Sequence, residues 1–414
     1  MSADLQPETA EQVLEAVQGA AAEARPLEVV GRASKRGLGR PIENATPLTL
    51  GRLSGISLYE PEELVLSAGP GTLVTEIEAV LAERRQQFAF EPPDFGPLLG
   101  GSIGQGSLGG LLACNLAGPR RIKAGAARDH FLGFKAVSGR AEAFKSGGRV
   151  VKNVTGYDLS KLMAGSYGTL AAFTDLTVKV LPAPEKTRTV LVYGLADDRA
   201  MAVMTAAAGG ASEPTALAHL PDDIARQSRV SYVAAAGGAV TAIRLEGPGP
   251  SVSHRCAVLR AEVGEQGETE ELHGHNSEAF WREVRDATCF VGLDDQVWRL
   301  SVTPNQGAAV TGRICRELDC RFYYDWAGGL IWLALAARDD AGADTIRRST
   351  AAAGGHATLV RATAAVRSTV PPFHPPSPAV AALSSRIKAS FDPLGLLNPG
   401  RMTAEDLPPP AEGD

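Results

Sequence analysis

Cysteine is scarce in this chain: five residues in 414, Cys114, Cys256, Cys289, Cys315 and Cys320. None forms a CxxC pair and the number is odd, which argues against a disulfide framework and against a metal cluster held by the chain itself. Long apolar runs are missing too. The best of them, Leu330–Ala337, is strand-length, well short of the roughly 18 residues that cross a bilayer. Positive charge is not in excess: 41 Lys and Arg stand against 47 Asp and Glu, a formal net charge of −6. No surface is therefore expected that would neutralise nucleic-acid phosphates. Met1–Arg25 reads as a polar, Ala- and Glu-rich amphipathic helix without the basic start, apolar core and small-residue cleavage site of a secretory signal. A cytoplasmic protein is expected, with peripheral contact at the inner face of the cell membrane as the alternative.

What is present is the composition of a folded protein, 44% hydrophobic and 21% charged, with 45 glycines and 27 prolines for tight loops. The length exceeds one ordinary core and implies roughly two or three domains. A short apolar strand, Leu27–Val30, runs into the loop Gly31-Arg-Ala-Ser-Lys-Arg-Gly-Leu-Gly39, and a strand over Glu63–Ala68 leads through Gly69-Pro-Gly71 to a helix over Leu73–Arg84. Glycine and proline then dominate from Glu91 to Gly125. Strands are predicted at Leu132–Ser138, Val150–Val151 and Thr174–Leu181, with Pro182 and Pro184 marking a boundary. Beyond it, strands at Thr189–Tyr193, Thr241–Leu245, Val297–Val302 and Ile331–Leu335 alternate with helical patterns at Arg199–Ala208, Ser277–Ala287, Gln306–Leu318 and Ala341–Ala353, an α+β arrangement. A helix over Pro378–Phe391 closes the chain before a Pro- and acid-rich tail.

Gly104-Gln-Gly-Ser-Leu-Gly109 matches GxGxxG, with Asp129 about twenty residues on, the outline of a dinucleotide fingerprint. Its context refuses that reading. Pro92-Pro-Asp-Phe-Gly-Pro97 cannot be the buried parallel strand such a fingerprint requires, and Gly109-Gly110 is expected to interrupt the helix start. Taken alone, the segment reads better as a glycine-rich surface loop.

Three segments in order resemble the vanillyl-alcohol-oxidase or PCMH-type FAD-binding family. These are Val29-Val-Gly-Arg-Ala-Ser-Lys-Arg-Gly-Leu-Gly39, Leu108-Gly-Gly-Leu-Leu-Ala-Cys-Asn-Leu-Ala-Gly-Pro-Arg120, and Lys152-Asn-Val-Thr-Gly-Tyr-Asp-Leu-Ser-Lys-Leu-Met-Ala-Gly-Ser-Tyr-Gly-Thr-Leu170. Within it, Arg128-Asp129, Lys179-Val-Leu-Pro182, Tyr324-Asp-Trp-Ala-Gly-Gly329 and Leu397-Asn-Pro-Gly-Arg401 are similar to E-type glycolate oxidase subunits. The resemblance implies an α+β fold: a two-subdomain FAD-binding domain over 1–184 (subdomains about 1–90 and 91–184), a cap over 185–370, a C-terminal helix and loop over 371–402 returning to the FAD domain, and a disordered tail over 403–414. It implies dissociable FAD held by Gly31, Arg32, Ala33, Ser34, Lys35 and Gly39 in the first loop. The second loop contributes Gly101, Ser107, Gly109, Gly110, Cys114, Asn115 and Gly118. On the flavin side stand Asn153, Gly156, Tyr157, Asp158, Gly165, Gly168 and Thr169. Implied partners are a D-type flavoprotein and an iron–sulfur F-type subunit, and the implied substrate is a small 2-hydroxyacid such as glycolate, oxidised to glyoxylate.

Departures from the family pattern are local. Arg32 and Ala33 replace two glycines, and if the backbone there is left-handed a Cβ costs roughly 1–2 kcal/mol and weakens FAD binding. Arg32 has two readings, a pyrophosphate partner or a solvent-facing side chain. Ala171 and Ala172 stand where relatives carry Gly-Ile. Asp158 also suits a plain N-cap and Gly165 a plain C′ residue. His130 is the sole histidine of the FAD domain, so no covalent flavin link is indicated. In the cap, His273 and His275 sit in an acidic stretch, Glu268–Glu278, read as a solvated loop, and no metal site is expected. His356, after Gly354-Gly355, reads as a helix C-terminal residue or a catalytic base. No catalytic residue stands out. Arg120, Arg121, Lys123 and Arg128 read as a solvated loop or as partners for FAD phosphates, a substrate carboxylate or an acidic protein surface. Two alternatives stay beside the enzyme subunit: a scaffold that has lost FAD, and a stand-alone FAD-dependent 2-hydroxyacid dehydrogenase.

Overall fold

Alternating burial organises the molecule into two antiparallel sheets. The computed structural model describes residues 4–148 and 156–404; Asn153, the strand expected at Val150–Val151 and the tail from residue 405 on lie outside them. The first sheet orders its strands as Ile56–Glu60, Val65–Ala68, Ala171–Lys179, Phe131–Ser138 and Ala143–Gly147, every neighbour antiparallel. Helix Val74–Glu83 buries Val74, Ile77 and Leu81 against it. A separate parallel pair, Leu27–Val30 with Thr46–Thr49, packs against helix Ala10–Ala22 through Val13, Val17 and Ala20. As expected, no strand precedes Gly104, where Pro97–Leu99 is a short 3-10 turn.

The second sheet has eight strands, in the order Thr269–His273, Lys186–Tyr193, Val240–Gly247, Ala216–Leu220, Cys320–Asp325, Leu330–Leu335, Gln296–Ser301 and His356–Arg361. Each neighbouring pair is antiparallel. One face, with Val190, Val192, Trp298 and Leu300, is covered by helices Asp197–Ala208, Gly249–Val263, Gly307–Ile314 and Ala343–Ala351. The other, with Leu191, Val297, Tyr323 and Trp332, packs on Phe95 and Leu98 of the N-terminal region and on helix Gly274–Asp286. Trp332 meets Phe95 edge-on at 5.5 Å. The 268–278 stretch is corrected: it is not a loop but an edge strand and a helix start, and His273 pairs with Glu271 at 3.2 Å. His356 is likewise not the end of a helix; it opens the last strand. Among the described residues, no helix is long and apolar enough to cross a membrane.

Candidate functional site

The first loop and the second meet at one point, and glycine makes it possible. A Cβ on Gly31 would lie 2.4 Å from Ser107 Oγ, so only a residue without one lets the loops touch. Between them opens a cleft lined by Gly31, Arg32, Ala33, Ser34, Lys35, Ser107, Gly109, Gly110, Cys114 and Gly168 among the residues named from sequence. Arg36, Pro70, Tyr167, Phe173, Asn398 and Arg401 also line it, and sequence reading did not single these out. Gly39, Gly101, Asn115, Gly118, Gly156, Tyr157, Asp158, Gly165 and Thr169 are not on its wall.

Several of those nine have other work. Gly39, at φ +76°, lies against Arg401 and gives its carbonyl to Arg367. Asn115 accepts from Arg128 N–H at 3.0 Å, and Gly118 accepts from Trp326 Nε1 at 3.1 Å. Asp158 caps helix Leu159–Met163 by accepting from Lys161 N–H, and Gly165, at φ +85°, follows that helix. Tyr157 is 90% exposed and Gly101 is exposed. Thr169 donates to Ser166 O, while its own carbonyl accepts from Lys388.

The helix N–H groups of the second loop are not open to an anion, and the interruption expected at Gly109-Gly110 is corrected. Helix Leu108–Ala113 runs through Gly109-Gly110 without interruption, and its first N–H groups are already engaged. Leu108 donates to Thr72 O and Gly109 to Pro70 O, both at 2.9 Å, and Gly110 to Ser107 Oγ at 3.3 Å. The open donors lie in the first loop. Among the described residues the amides of Arg32, Ala33, Ser34 and Lys35 reach no protein acceptor, which is the arrangement of an anion-binding nest. Lys35 adds a cation whose one hydrogen bond among the described residues goes to Ser34 Oγ at 3.3 Å. Burial pulls that ammonium below its ordinary value, opposed by Cys114 and Asp94. Burial also pushes the Cys114 thiol up to about 11, so it stays protonated at neutral pH. These features fit a diphosphate-bearing cofactor.

The two replaced glycines differ in consequence. Ala33 is left-handed, at φ +61°, and carries the strain expected of a Cβ there. Arg32 is not among the left-handed residues. Its side chain is exposed and its Nε donates to Gly71 O at 3.1 Å.

The C-terminal segment closes the cleft from the far side. Helix Pro378–Phe391 ends at Asp392, whose carboxylate accepts from the N–H groups of Leu396 and Leu397 at 2.9 and 2.8 Å. That fold-back sets Leu397 beside Leu27. Asn398 then accepts from Val29 N–H at 2.7 Å and donates to Tyr167 O at 2.6 Å. A Cβ on Gly168, itself at φ +72°, would collide with Asn398 at 2.7 Å. Arg401 is buried; its Nη1 donates to the carbonyls of Arg36, Leu38 and Arg40 and its Nη2 to Glu28. The first loop is thus held by a residue more than 360 positions away, invisible to spacing although Asn-Pro-Gly-Arg stood in the sequence.

The basic cluster divides. Arg120 is a half-buried strut: it donates to Glu246 at 2.8 and 2.9 Å, while Glu91 accepts from Arg244 at 2.7 and 2.8 Å, joining the N-terminal region to the second sheet. Lys123 pairs with exposed Glu213 and Arg128 lies 3.9 Å from Asp129. Arg121 instead rests on the Trp326 ring. His130 is buried, with Nε2 2.9 Å from Ala124 O.

Residues 1–147 match a family described as FAD binding domain. The chain is 34% identical over 394 residues to the glycolate oxidase subunit GlcE of Escherichia coli (strain K12), covering 95% of this chain and 97% of that one. An uncharacterized FAD-linked oxidoreductase of Mycobacterium tuberculosis (strain ATCC 25618 / H37Rv) is 26% identical, across 95% of this chain and 89% of its own. Among solved structures, p-cresol methylhydroxylase with substrate bound superposes with a TM-score of 0.70 at 14% identity, over 98% of this chain and 89% of that one. With 34% identity along nearly the whole of both chains, this protein belongs to the glycolate oxidase subunit GlcE family, on the fold it shares with p-cresol methylhydroxylase.

Proposed function

We propose that the chain is the flavin-binding E-type subunit of an assembly that oxidises glycolate to glyoxylate and passes the electrons on to a D-type flavoprotein and an iron–sulfur F-type subunit. The observation that carries this is the cleft itself, with unengaged amides from Arg32 to Lys35 beside a cation, in a chain similar to GlcE over nearly its full length. Gly31, Arg32, Ala33, Ser34, Lys35, Ser107, Gly109, Gly110, Cys114 and Gly168 would hold FAD, joined by Asn398 and Arg401, which shape the wall. FAD when bound supplies a two-electron acceptor for the substrate's C–H bond. Lys35 and the first-loop amides neutralise and orient a diphosphate. Tyr167 lines the cleft, its hydroxyl kept protonated by burial. The cap in this reading spans 185–370, and peripheral attachment at the membrane comes through the partners.

The visible spectrum of the purified chain tests the reading, followed by glycolate-dependent bleaching with and without partner subunits. Flavin bands that bleach in the assembly are expected. A colourless chain that FAD cannot reconstitute sinks the proposal, and bleaching by the isolated chain replaces it with a stand-alone dehydrogenase.

A further inference from the structure

Two guanidiniums from distant parts of the chain converge on one ring. Arg121 Cζ lies 4.4 Å and Arg299 Cζ 4.9 Å from the centre of Trp326. Trp326 is buried and fixed by its Nε1 bond to the Gly118 carbonyl. Arg299 stands on strand Gln296–Ser301 between Trp298 and Leu300, which enter the helix-covered core. Its side chain therefore points to the opposite face, the one turned to the N-terminal region. Arg299 pairs across the sheet with Trp332 and Thr358, and His356, opposite Ser301, shares that face.

Nothing in the described protein balances these two charges. Neither side chain has a hydrogen bond or ion pair among the described residues, whereas nearby Arg120, Arg244 and Arg285 are all paired. Burial and then the Arg121 charge pull Arg299 down to about 10, and burial and then Arg128 pull Arg121 down. Asp325, the carboxyl within reach of Arg299, is driven up to about 8 by burial despite the Trp326 N–H it accepts, so it holds its proton at neutral pH. Asp129 draws on Arg121 but lies beside Arg128. Burial and Arg299 hold His356 below its ordinary value, so it adds no charge. Cys114 and Tyr167, both on the cleft wall, pack against the same core cluster as Trp326, which sets the pair beside the cleft.

The geometry points to Arg121 and Arg299, held on Trp326, as the site that binds the carboxylate of a small 2-hydroxyacid next to the flavin cleft. This rests on the function proposed above. Planar guanidiniums match a carboxylate's paired oxygens, and the Trp326 ring holds each of the two at cation–π distance.

Calorimetric titration of the full-length chain with oxalate, a two-carbon dicarboxylate that cannot be dehydrogenated, tests the site with and without added FAD. Saturable binding weakened by salt is expected, at least tenfold weaker in Arg299→Gln and in Arg121→Gln and partly restored in Arg299→Lys. Arg121 is exposed, so its variant remains informative if the Arg299 variant misfolds. Oxalate binding that is absent, or equal in wild type and Arg121→Gln, overturns the site. The spectrum reports separately on FAD: a flavin-loaded chain with no arginine-dependent oxalate binding rejects this inference alone.

Discussion

Two groups of arginines stand a few residues apart at the junction of the two sheets, and they were built for different ends. Arg244 is buried, Arg120 half-buried, and both are closed on Glu91 and Glu246. Arg121 and Arg299 share a ring and have no anion. In the closed group burial would raise Glu246, but Arg244 and Arg120 outweigh it and hold the carboxyl at about 2. In the open group the same burial works on cations with no partner and lowers both. Buried charge that is fully paired fixes how two units sit together. Partly buried charge left unpaired is a standing cost to folding that a ligand can relieve.

That contrast can be broken in order of effect. Arg244→Ala strands two buried carboxylates and is expected to lower stability by about 3–5 kcal/mol in urea denaturation, whereas Arg121→Ala should change it by less than about 0.5 kcal/mol. Similar losses would erase the distinction. Arg401→Ala removes donors from three carbonyls and Glu28 and should cost about 2–3 kcal/mol, together with a marked loss of FAD affinity read by flavin fluorescence. Unchanged affinity would show that the C-terminal segment braces the fold but not the cleft.

The pH dependence follows from the closed group. The folded-state value of Glu246 is depressed to about 2 from an ordinary 4.5, and Glu91 is lowered too as Arg244 and Arg120 outweigh its burial. Their stabilisation is complete above about pH 4.5 and is lost as pH falls toward about 2. Denaturation midpoints across that window should slope downward with acid, and the slope should flatten in Arg244→Ala; an unchanged slope assigns the acid sensitivity elsewhere. The smallest expected effect belongs to the first loop. Ala33→Gly should relieve the left-handed strain and stabilise by about 1 kcal/mol less the entropy glycine adds to the unfolded chain, a rise in melting temperature of a few degrees at most. A drop in stability would mean that the loop relaxes away from φ +61° without its ligand.

Much of the fold was readable because local pattern and tertiary role agreed. Helix Pro378–Phe391 falls where its periodicity placed it, and most predicted strands were found within a few residues of their expected ends. The failures have physical causes. Helix Gly249–Val263 buries Val252, Cys256, Leu259 and Val263 on one stripe, but its opening Gly-Pro reads as loop, although proline is tolerated in a first turn. Strand Ala216–Leu220 is buried at every residue and so shows no alternation. Spacing also gave no sign that Cys315 and Cys320, both free thiols, bring their Sγ atoms to 3.2 Å where a helix end folds back beside a strand.

The sequence by itself determined the family, through ordered loops whose glycines are needed where a side chain presses on the backbone, as Ser107 does at Gly31 and Asn398 at Gly168. It also marked ten of the residues that line the cleft. Only the tertiary structure decided which donors remain open, since the second-loop amides are consumed by Thr72, Pro70 and Ser107 while those of the first loop are not. Only it could separate Arg120 from its neighbour Arg121, turning one into a strut and the other toward Arg299. A side chain's type is local information, but whether its charge is cancelled depends on what the rest of the chain brings within a few ångströms.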